Sequence, residues 1–444
     1  MWIGFHDDPV LRYGPDRQRE LDLARSRANA TMLRTLVTWR QIAPTRPQNA
    51  ADPFDPAYHF DDLDDFVRSA QVRGLEVLMT IWGTPAWANG GRPARFLPTR
   101  MSDFQAFTRA LAARYSGRYA GYPFVRFFGI WNESNLGSFL SPQFDARGRI
   151  VGAAAYARLA AAGYAGIKAG NVRAQVAVGE TSSTGRDRRK PGVTDSVAPA
   201  TFARLVARAN PRLRFDAWAH HPYPFPVSQA PTQTVRYPNV TLTSLPRFER
   251  DLRLWFRRRA VTIWITEYGV QTRPGAPGGV TEAQQARYVT QAIALARRDP
   301  NVPTFVWFVF RDSAGSPWSS GIYRRNGTAK PSLRTWAAAA RQVDRINSRV
   351  AIRAGTRNPT LIVNVRPLCA TTPIGAPVVA LASTFLGRRL VQTSLGTTPL
   401  AIDCTALVRL TGLTVARRTT YTTHIDTRTT IIPTLTRTIT IVGT

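Results

Sequence analysis

The sequence predicts a (β/α)8 barrel followed by a small all-β domain, and three observations lead there. From residue 1 to about 345, short apolar runs alternate with amphipathic stretches, and eight such pairs are the period of a closed parallel barrel. After about residue 348 the helical periodicity stops, and Thr, Val, Ile and Leu fill short runs separated by Pro and Gly, the texture of strands and turns. No Gly-rich dinucleotide turn follows the first apolar run, Trp2-Ile3-Gly4-Phe5, which disfavours a doubly wound open sheet. The expected division is a barrel over residues 1–345 and a threonine-rich, sandwich-like domain over 346–444.

The barrel strands are expected to begin near Trp2, Met32, Leu75, Val125, Val172, Phe215, Val261 and Thr304. Their near-continuous apolar character suits strands covered on both faces. Between them, Asp61 to Val72 places Leu63, Phe66 and Val67 on one helical face, and Gly74 stops that helix. Ser102 with Gln105, and Thr281 with Gln284, form capping-box pairs ahead of apolar stripes. Lys330-Pro331-Ser332 opens the last barrel helix, which runs to Val343. The long segment from Ser182 to Pro199 reads as a rim loop. In the tail, residues 361–365, 378–381 and 436–442 read as strands. The tail reads either as a carbohydrate-binding module or as a packing appendage, and the appendage is favoured because Phe385 and Tyr421 are its only aromatics and offer no platform for sugar.

Composition narrows the classes of function. A chain of 444 residues, 44% hydrophobic and 20% charged, is globular and buries a large core. No apolar run is long enough to span a bilayer, and Met1 leads straight into the first strand with no secretory leader read ahead of it. The formal charge of +31 invites a polyanion-binding reading. Against it, Lys168, Lys190 and Lys330 are the only lysines, the arginines are spread along the chain, and no nucleic-acid module accompanies them. A solvated basic surface is therefore expected, with no specific nucleic-acid partner. Cys369 and Cys404 are the only cysteines. They stand either as one disulfide of an oxidising compartment or as two buried thiols.

Two apolar strands end in a carboxylate. Phe127-Phe128-Gly129-Ile130-Trp131 runs into Asn132-Glu133, and Val261-Thr262-Ile263-Trp264-Ile265-Thr266 runs into Glu267. The carboxyl ends of barrel strands are where such folds keep their chemistry. One strand-end Glu is most simply an ion pair or a cap, but two, on the fourth and seventh strands, point to a catalytic pair. Paired carboxylates are the equipment of glycoside hydrolysis: one protonates the leaving oxygen while the other attacks the anomeric carbon.

Further positions strengthen this. Arg34 is followed by Val37-Thr38-Trp39 on the second strand, His221-Pro222-Tyr223 closes the sixth, and Trp307 stands in the eighth. With Asn132-Glu133 and Glu267 in the right strand order, this pattern resembles the retaining "4/7" barrels of glycoside hydrolase clan A. The resemblance spans nearly all of residues 1 to 345 and none of the tail. It implies Glu133 as acid/base, Glu267 as nucleophile, and Asn132 on the sugar 2-hydroxyl. It further implies Arg34 and Tyr223 as holders of the nucleophile, Trp307 as floor of the reactive subsite, and His221 as a cleft residue in preference to adjacent His220. Trp82, Trp87 and Trp318 fall where βα loops are expected, and Trp82 is read as a sugar-stacking residue.

Two departures stand out. Ser134 occupies the place of Pro in the common Asn-Glu-Pro turn, and the third strand ends in Trp82 where family 5 enzymes often carry His, which looks closer to family 39-like or unclassified bacterial members. Glu180, a third strand-end carboxylate, is read as lining the cleft or binding substrate, with no bond-breaking role.

No cofactor and no metal are expected: no His-x-His stands at the first strand, which argues against a metal-dependent amidohydrolase barrel. The expected partner is an oligo- or polysaccharide or another glycoside with a β-linkage, acted on by an extracellular monomer. The rival readings are an inactive barrel that only binds carbohydrate, and a basic polyanion-binding surface protein. If the clan reading holds, the Glu133 and Glu267 carboxyl groups should lie about 5–5.5 Å apart, not the roughly 6.5–9.5 Å of inverting enzymes.

Overall fold

The computed structural model describes the chain except residues 227, 315–317, 345–348, 366–371, 373–374, 402–403 and 430–434. Cys369 and the expected boundary at 345/346 lie outside the described residues, while Cys404 is buried. Two compact units emerge: Met1–Ala70 with Val77–Ala339, and Gln71–Glu76 with Ala340–Thr444.

In the first unit, eight strands close into a parallel barrel in chain order. They are β1 (Trp2–His6), β2 (Met32–Thr38), β3 (Glu76–Trp82), β4 (Phe127–Ile130), β5 (Gln175–Ser182), β6 (Ala217–His221), β7 (Ile263–Tyr268) and β8 (Thr304–Phe308). Each begins within three residues of its expected start. Every strand is almost wholly buried, as expected of a sheet with side chains filling its inside and helices covering its outside. Closure sets Phe5 opposite Trp307 and His6 opposite Phe308. Because neighbouring side chains alternate across a strand, these two rungs face opposite sides of the wall.

Two register shifts interrupt that alternation where it matters for the site. β5 slips against β6 between Val178 and Thr181, and β7 slips against β8 between Ile265 and Tyr268. Extra residues of this kind re-aim side chains at barrel rims.

The helices between strands follow their sequence signals with one exception. Asp61–Gln71 forms with Leu63, Phe66 and Val67 buried. Thr281 caps Glu282–Arg298 through a reciprocal box with Gln284. The Ser102–Gln105 box does not form: the helix Met101–Arg114 already starts at Met101 with Arg100 extended before it, which leaves Ser102 inside the first turn. Among the described residues, no helix is long and apolar enough to cross a membrane.

The second unit is all-β apart from the end of the helix Pro331–Asp344 and the short segment 71–76. Its strands are β9 (Arg349–Ile352), β10 (Thr360–Asn364), β11 (Pro377–Leu386), β12 (Arg389–Pro399), β13 (Thr405–Arg409), β14 (Thr420–Arg428) and β15 (Leu435–Gly443). They make a five-stranded sheet, β12-β11-β14-β15-β9, and a two-stranded sheet, β10-β13. All pairs are antiparallel except β15 with β9. Alternate residues are buried along the longer strands, for example Val378, Ala380 and Ala382 on β11 and Tyr421, Thr423 and Ile425 on β14. This period of two is what a sheet with one core face requires.

Candidate active site

At the carboxyl end of the barrel, a cleft of about 570 Å³ is lined by His6, Asp7, Asp8, Asn132, Glu133, Tyr223 and Glu267, with Leu136, Phe139, Phe225, Phe308 and Trp318 among its apolar walls. The local backbone explains why Glu133 faces inward. Trp131 and Glu133 both adopt positive φ, 70° and 37°, so the chain turns sharply as it leaves β4. Left-handed non-glycine residues cluster at functional sites because the surrounding structure must hold them there. The Trp131 indole donates to Phe139 O at 2.8 Å, and Ser134 Oγ donates to Gly179 O at 2.6 Å. Ser134, at the position of the common proline, thus ties the β4 turn to β5.

Glu267 is held by both oxygens. Arg34 Nη1 donates to Oε1 at 2.5 Å, and the Tyr223 hydroxyl donates to Oε2 at 2.9 Å. The same guanidinium donates through Nη2 to Asn132 Oδ1 at 2.8 Å and to Glu180 Oε2 at 3.1 Å, and through Nε to Thr80 Oγ1 at 2.9 Å. Burial alone would raise the Glu267 carboxyl, but His221, Arg34 and His6 outweigh it and hold it well below the usual carboxylate range. Burial and the Glu267 charge push the Tyr223 hydroxyl well above its ordinary value, so it stays a donor.

His221 stands between the acids. Its Nδ1 lies 3.1 Å from Glu133 Oε1 and 3.6 Å from Glu267 Oε2, and its Nε2 lies 3.1 Å from Glu180 Oε2. Burial opposes a charge on this ring, yet Glu267, Glu133 and Glu180 together push it up to about 9. Adjacent His220 turns to the opposite face, packs on Phe248 and approaches Val240 O at 3.1 Å; burial pushes it down to about 3, so it stays neutral.

One oxygen of Glu133, one of Glu267 and one nitrogen of His221 all lie within 4.8 Å of one another. Three such ligands are enough for a cation in principle. Here the Arg34 guanidinium already occupies Glu267 Oε1 and opposes a second positive charge. The donor set fits two carboxyl groups, one of them clamped, and an imidazole better than it fits a metal site.

Arg34, Asn132, Glu133, His221, Tyr223 and Glu267 are therefore brought together. Two tryptophans are not, and both expectations are corrected. Trp307 is fully buried outside the barrel wall, with its indole donating to Ser320 O at 2.7 Å and its ring against Tyr268 and Trp336. Strand alternation gives the cleft position to Phe308 instead, 5.2 Å from His6 by ring centroids. Trp82 is half-buried behind Phe139, donating to its carbonyl at 3.2 Å, and it is Phe139 that lines the cleft. Glu180 does not line the cleft either; it is fully buried beneath it. Trp318 does line it and packs on Tyr223 and Phe308.

His6 is the site residue that the motifs passed over. Arg34 Nη1 lies 2.6 Å from its Nδ1, Glu267 Oε1 lies 3.2 Å from the same atom, and Asp8 Oδ2 lies 3.6 Å from its Nε2. Nδ1 thus sits between the Arg34 guanidinium and the Glu267 carboxylate; burial and Arg34 oppose a charge on this ring, while Asp8 and Glu267 outweigh them and raise its value. The signal was present: His6 ends β1 as Glu133 follows β4, a polar residue at the carboxyl end of an apolar strand.

Over residues 4–310 the sequence matches the family profile described as Cellulase (glycosyl hydrolase family 5). The chain belongs to glycoside hydrolase family 5. Solved structures with the same fold surround this family 5 chain. A family 39 glycoside hydrolase from Bacteroides cellulosilyticus WH2 is 17% identical with TM-score 0.56, the alignment covering 92% of this chain and 80% of that one. A glucosidase from Croceicoccus marinus is 12% identical with TM-score 0.56, covering 93% and 96%. GH5_18 from Streptomyces cattleya, solved with GlcNAc, is 15% identical with TM-score 0.54, covering 80% and 84%. At these identities the likeness concerns the fold alone. No curated protein matches this family 5 sequence significantly. Family and fold together make the protein a glycosidase with a carbohydrate substrate.

Proposed function

We propose that the protein is a retaining β-glycosidase working by double displacement, with Glu267 as nucleophile and Glu133 as acid/base. One observation carries the reading: oxygens of the two carboxylates lie within 4.8 Å of each other while Glu267 is clamped from Arg34 and Tyr223. A water between nucleophile and anomeric carbon would require the wider carboxylate separation of inverting enzymes. In the first step Glu267 attacks the anomeric carbon as Glu133 gives its proton to the leaving oxygen. The product is a glycosyl ester on Glu267. In the second step water, deprotonated by Glu133, displaces Glu267 and restores both groups. Arg34 fixes Asn132 by its Oδ1, which leaves the amide N–H groups for the sugar 2-hydroxyl. Phe308 and Trp318 offer apolar faces to the ring.

Glu267→Ala is expected to abolish turnover of every aryl glycoside. Glu133→Ala is expected to lower hydrolysis least where the leaving group needs no proton, as with dinitrophenol, and azide should restore turnover as a β-glycosyl azide. Near-wild-type hydrolysis of a natural glycoside by Glu133→Ala would sink the assignment. With this reading go action outside the cell as a monomer, tested by fractionation and light scattering, and an accessory all-β domain over residues 346–444.

A further inference from the structure

Among the buried carboxylates that the mechanism leaves unused is Glu180, and the fold has made a place for it. Gly179 and Glu180 adopt consecutive positive φ, 97° and 45°, at the point where β5 slips against β6. The bulge is anchored on both sides: Ser134 Oγ donates to Gly179 O at 2.6 Å, and Gly179 N donates to the Tyr156 hydroxyl at 2.6 Å. A Cβ on Gly179 would collide with the Trp218 indole, and a Cβ on Gly129 of β4 would collide with Glu180 Oε1. Two glycines and a strained turn therefore serve to bring one carboxylate under the cleft floor, where it is fully buried.

That carboxylate receives Thr80 Oγ1 on Oε1 at 3.2 Å, and Thr266 Oγ1 at 2.9 Å and Arg34 Nη2 at 3.1 Å on Oε2. His221 Nε2 is its fourth partner, at 3.1 Å. An ionised carboxylate only accepts, so Nε2 must carry a proton. The ring's other nitrogen, Nδ1, is then the one that meets Glu133. A buried carboxylate that fixes an imidazole's tautomer while the far nitrogen meets the reacting group is the arrangement of the Ser-His-Asp triad.

We propose that Glu180 is a positioning residue that commits the His221 Nε2 proton to itself and thereby holds Nδ1 toward Glu133, fixing where the acid proton is shared. The inference rests on Glu133 being the acid/base. The groups that face His221 are Glu133 after β4, Glu180 from β5, Glu267 from β7, Tyr223 after β6 and His220 on its own strand. Arg34 from β2 joins Glu180 to Glu267, and His6 from β1 faces Glu267. Glu180 is held below the usual carboxylate range because Arg34 and His221 outweigh its burial, so it is ionised at neutral pH, where His221 is charged. Loss of the His221 proton, which then occurs at Nδ1 beside Glu133, is the event expected in the alkaline limb of activity.

The test is nitrogen NMR of histidine-labelled wild-type protein, with pH–rate profiles of wild type and Glu180→Gln. In wild type, Nε2 of His221 should stay protonated across the whole range of activity, with any loss of proton occurring at Nδ1. In Glu180→Gln the His221 titration and the alkaline limb of kcat should move down together by about one unit or more. Its kcat should fall at least about tenfold, with KM near wild type because Glu180 does not reach the cleft. A purely structural role would lower Tm and leave the limb in place, and that outcome overturns the proposal. So does a neutral His221 with its proton on Nδ1 in wild type, a result that needs no variant to fold. If Glu133→Ala and Glu267→Ala keep full turnover, the proposed function fails while the tautomer measurement still stands. If both are inactive and Glu180→Gln behaves as wild type, this inference alone fails.

Discussion

Arg34 reaches Thr80, His6, Glu267, Asn132 and Glu180 with one planar group. An ammonium is a point charge and cannot span these partners in a fork. Arg34→Lys is therefore expected to lower kcat at least about a hundredfold while the far-ultraviolet circular dichroism stays that of a barrel. Activity within a few-fold of wild type would refute the clamp. The charges around this residue also shape the pH dependence of stability. The His221 value is raised from 6.5 to about 9, so its contribution is fully present below 6.5 and is lost as pH rises through about 9. Glu267 is lowered from 4.5, so its contribution is present above 4.5 and lost as pH falls through its depressed folded value. Asp7, pushed up to about 7 by burial, works the other way, losing a contribution between 3.8 and 7. Urea unfolding should show a decline above neutral pH on the order of 3 kcal/mol, and His221→Asn should flatten that alkaline arm. At this scale the sequence singled out six residues that the structure brings together by hydrogen bonds at or just beneath the cleft, because motif spacing and strand ends coincide there. It misled at Trp307, since one step along β8 exchanges inside for outside.

Elements explain the rest of that error. The apolar runs located all eight strands, but a bulge leaves no mark in hydrophobic periodicity. The slip in β7 lets consecutive Thr266 and Glu267 both reach Glu180 or the cleft, and the slip in β5 sends Glu180 beneath the floor. Strict alternation would have kept only one of each neighbouring pair inside. Helix caps were legible where side chain and turn agree, as at Thr281, and not at Ser102, where the helix begins earlier than its pattern. Thr281→Ala removes a formed, exposed capping box and is expected to cost about 1 kcal/mol in urea unfolding, with kcat unchanged. A change in kcat of tenfold would mean that the helix Glu282–Arg298 matters to the chemistry in a way the cap does not explain.

For the whole molecule, the net charge of +31 raised a polyanion reading that the cleft does not need. Among the described residues, the side chains that line the cleft all lie between His6 and Trp318. A chain ending at residue 345 is therefore expected to keep kcat/KM on aryl glycosides within a few-fold of the full chain. Loss of activity in a folded truncation would give the β unit a catalytic share. The two-part division was plain from the change in texture near residue 348, because helical and strand periods differ in kind. The central claim remains the covalent one, that Glu267 bonds to the sugar. Incubating the full chain with a panel of activated 2-deoxy-2-fluoro-β-glycosides, which slow the second step, and mapping the digest by mass spectrometry tests it directly. One glycosyl adduct on the peptide carrying Glu267, absent from Glu267→Ala, is the predicted result. An adduct on another carboxylate, or hydrolysis with inversion and no adduct, would contradict it.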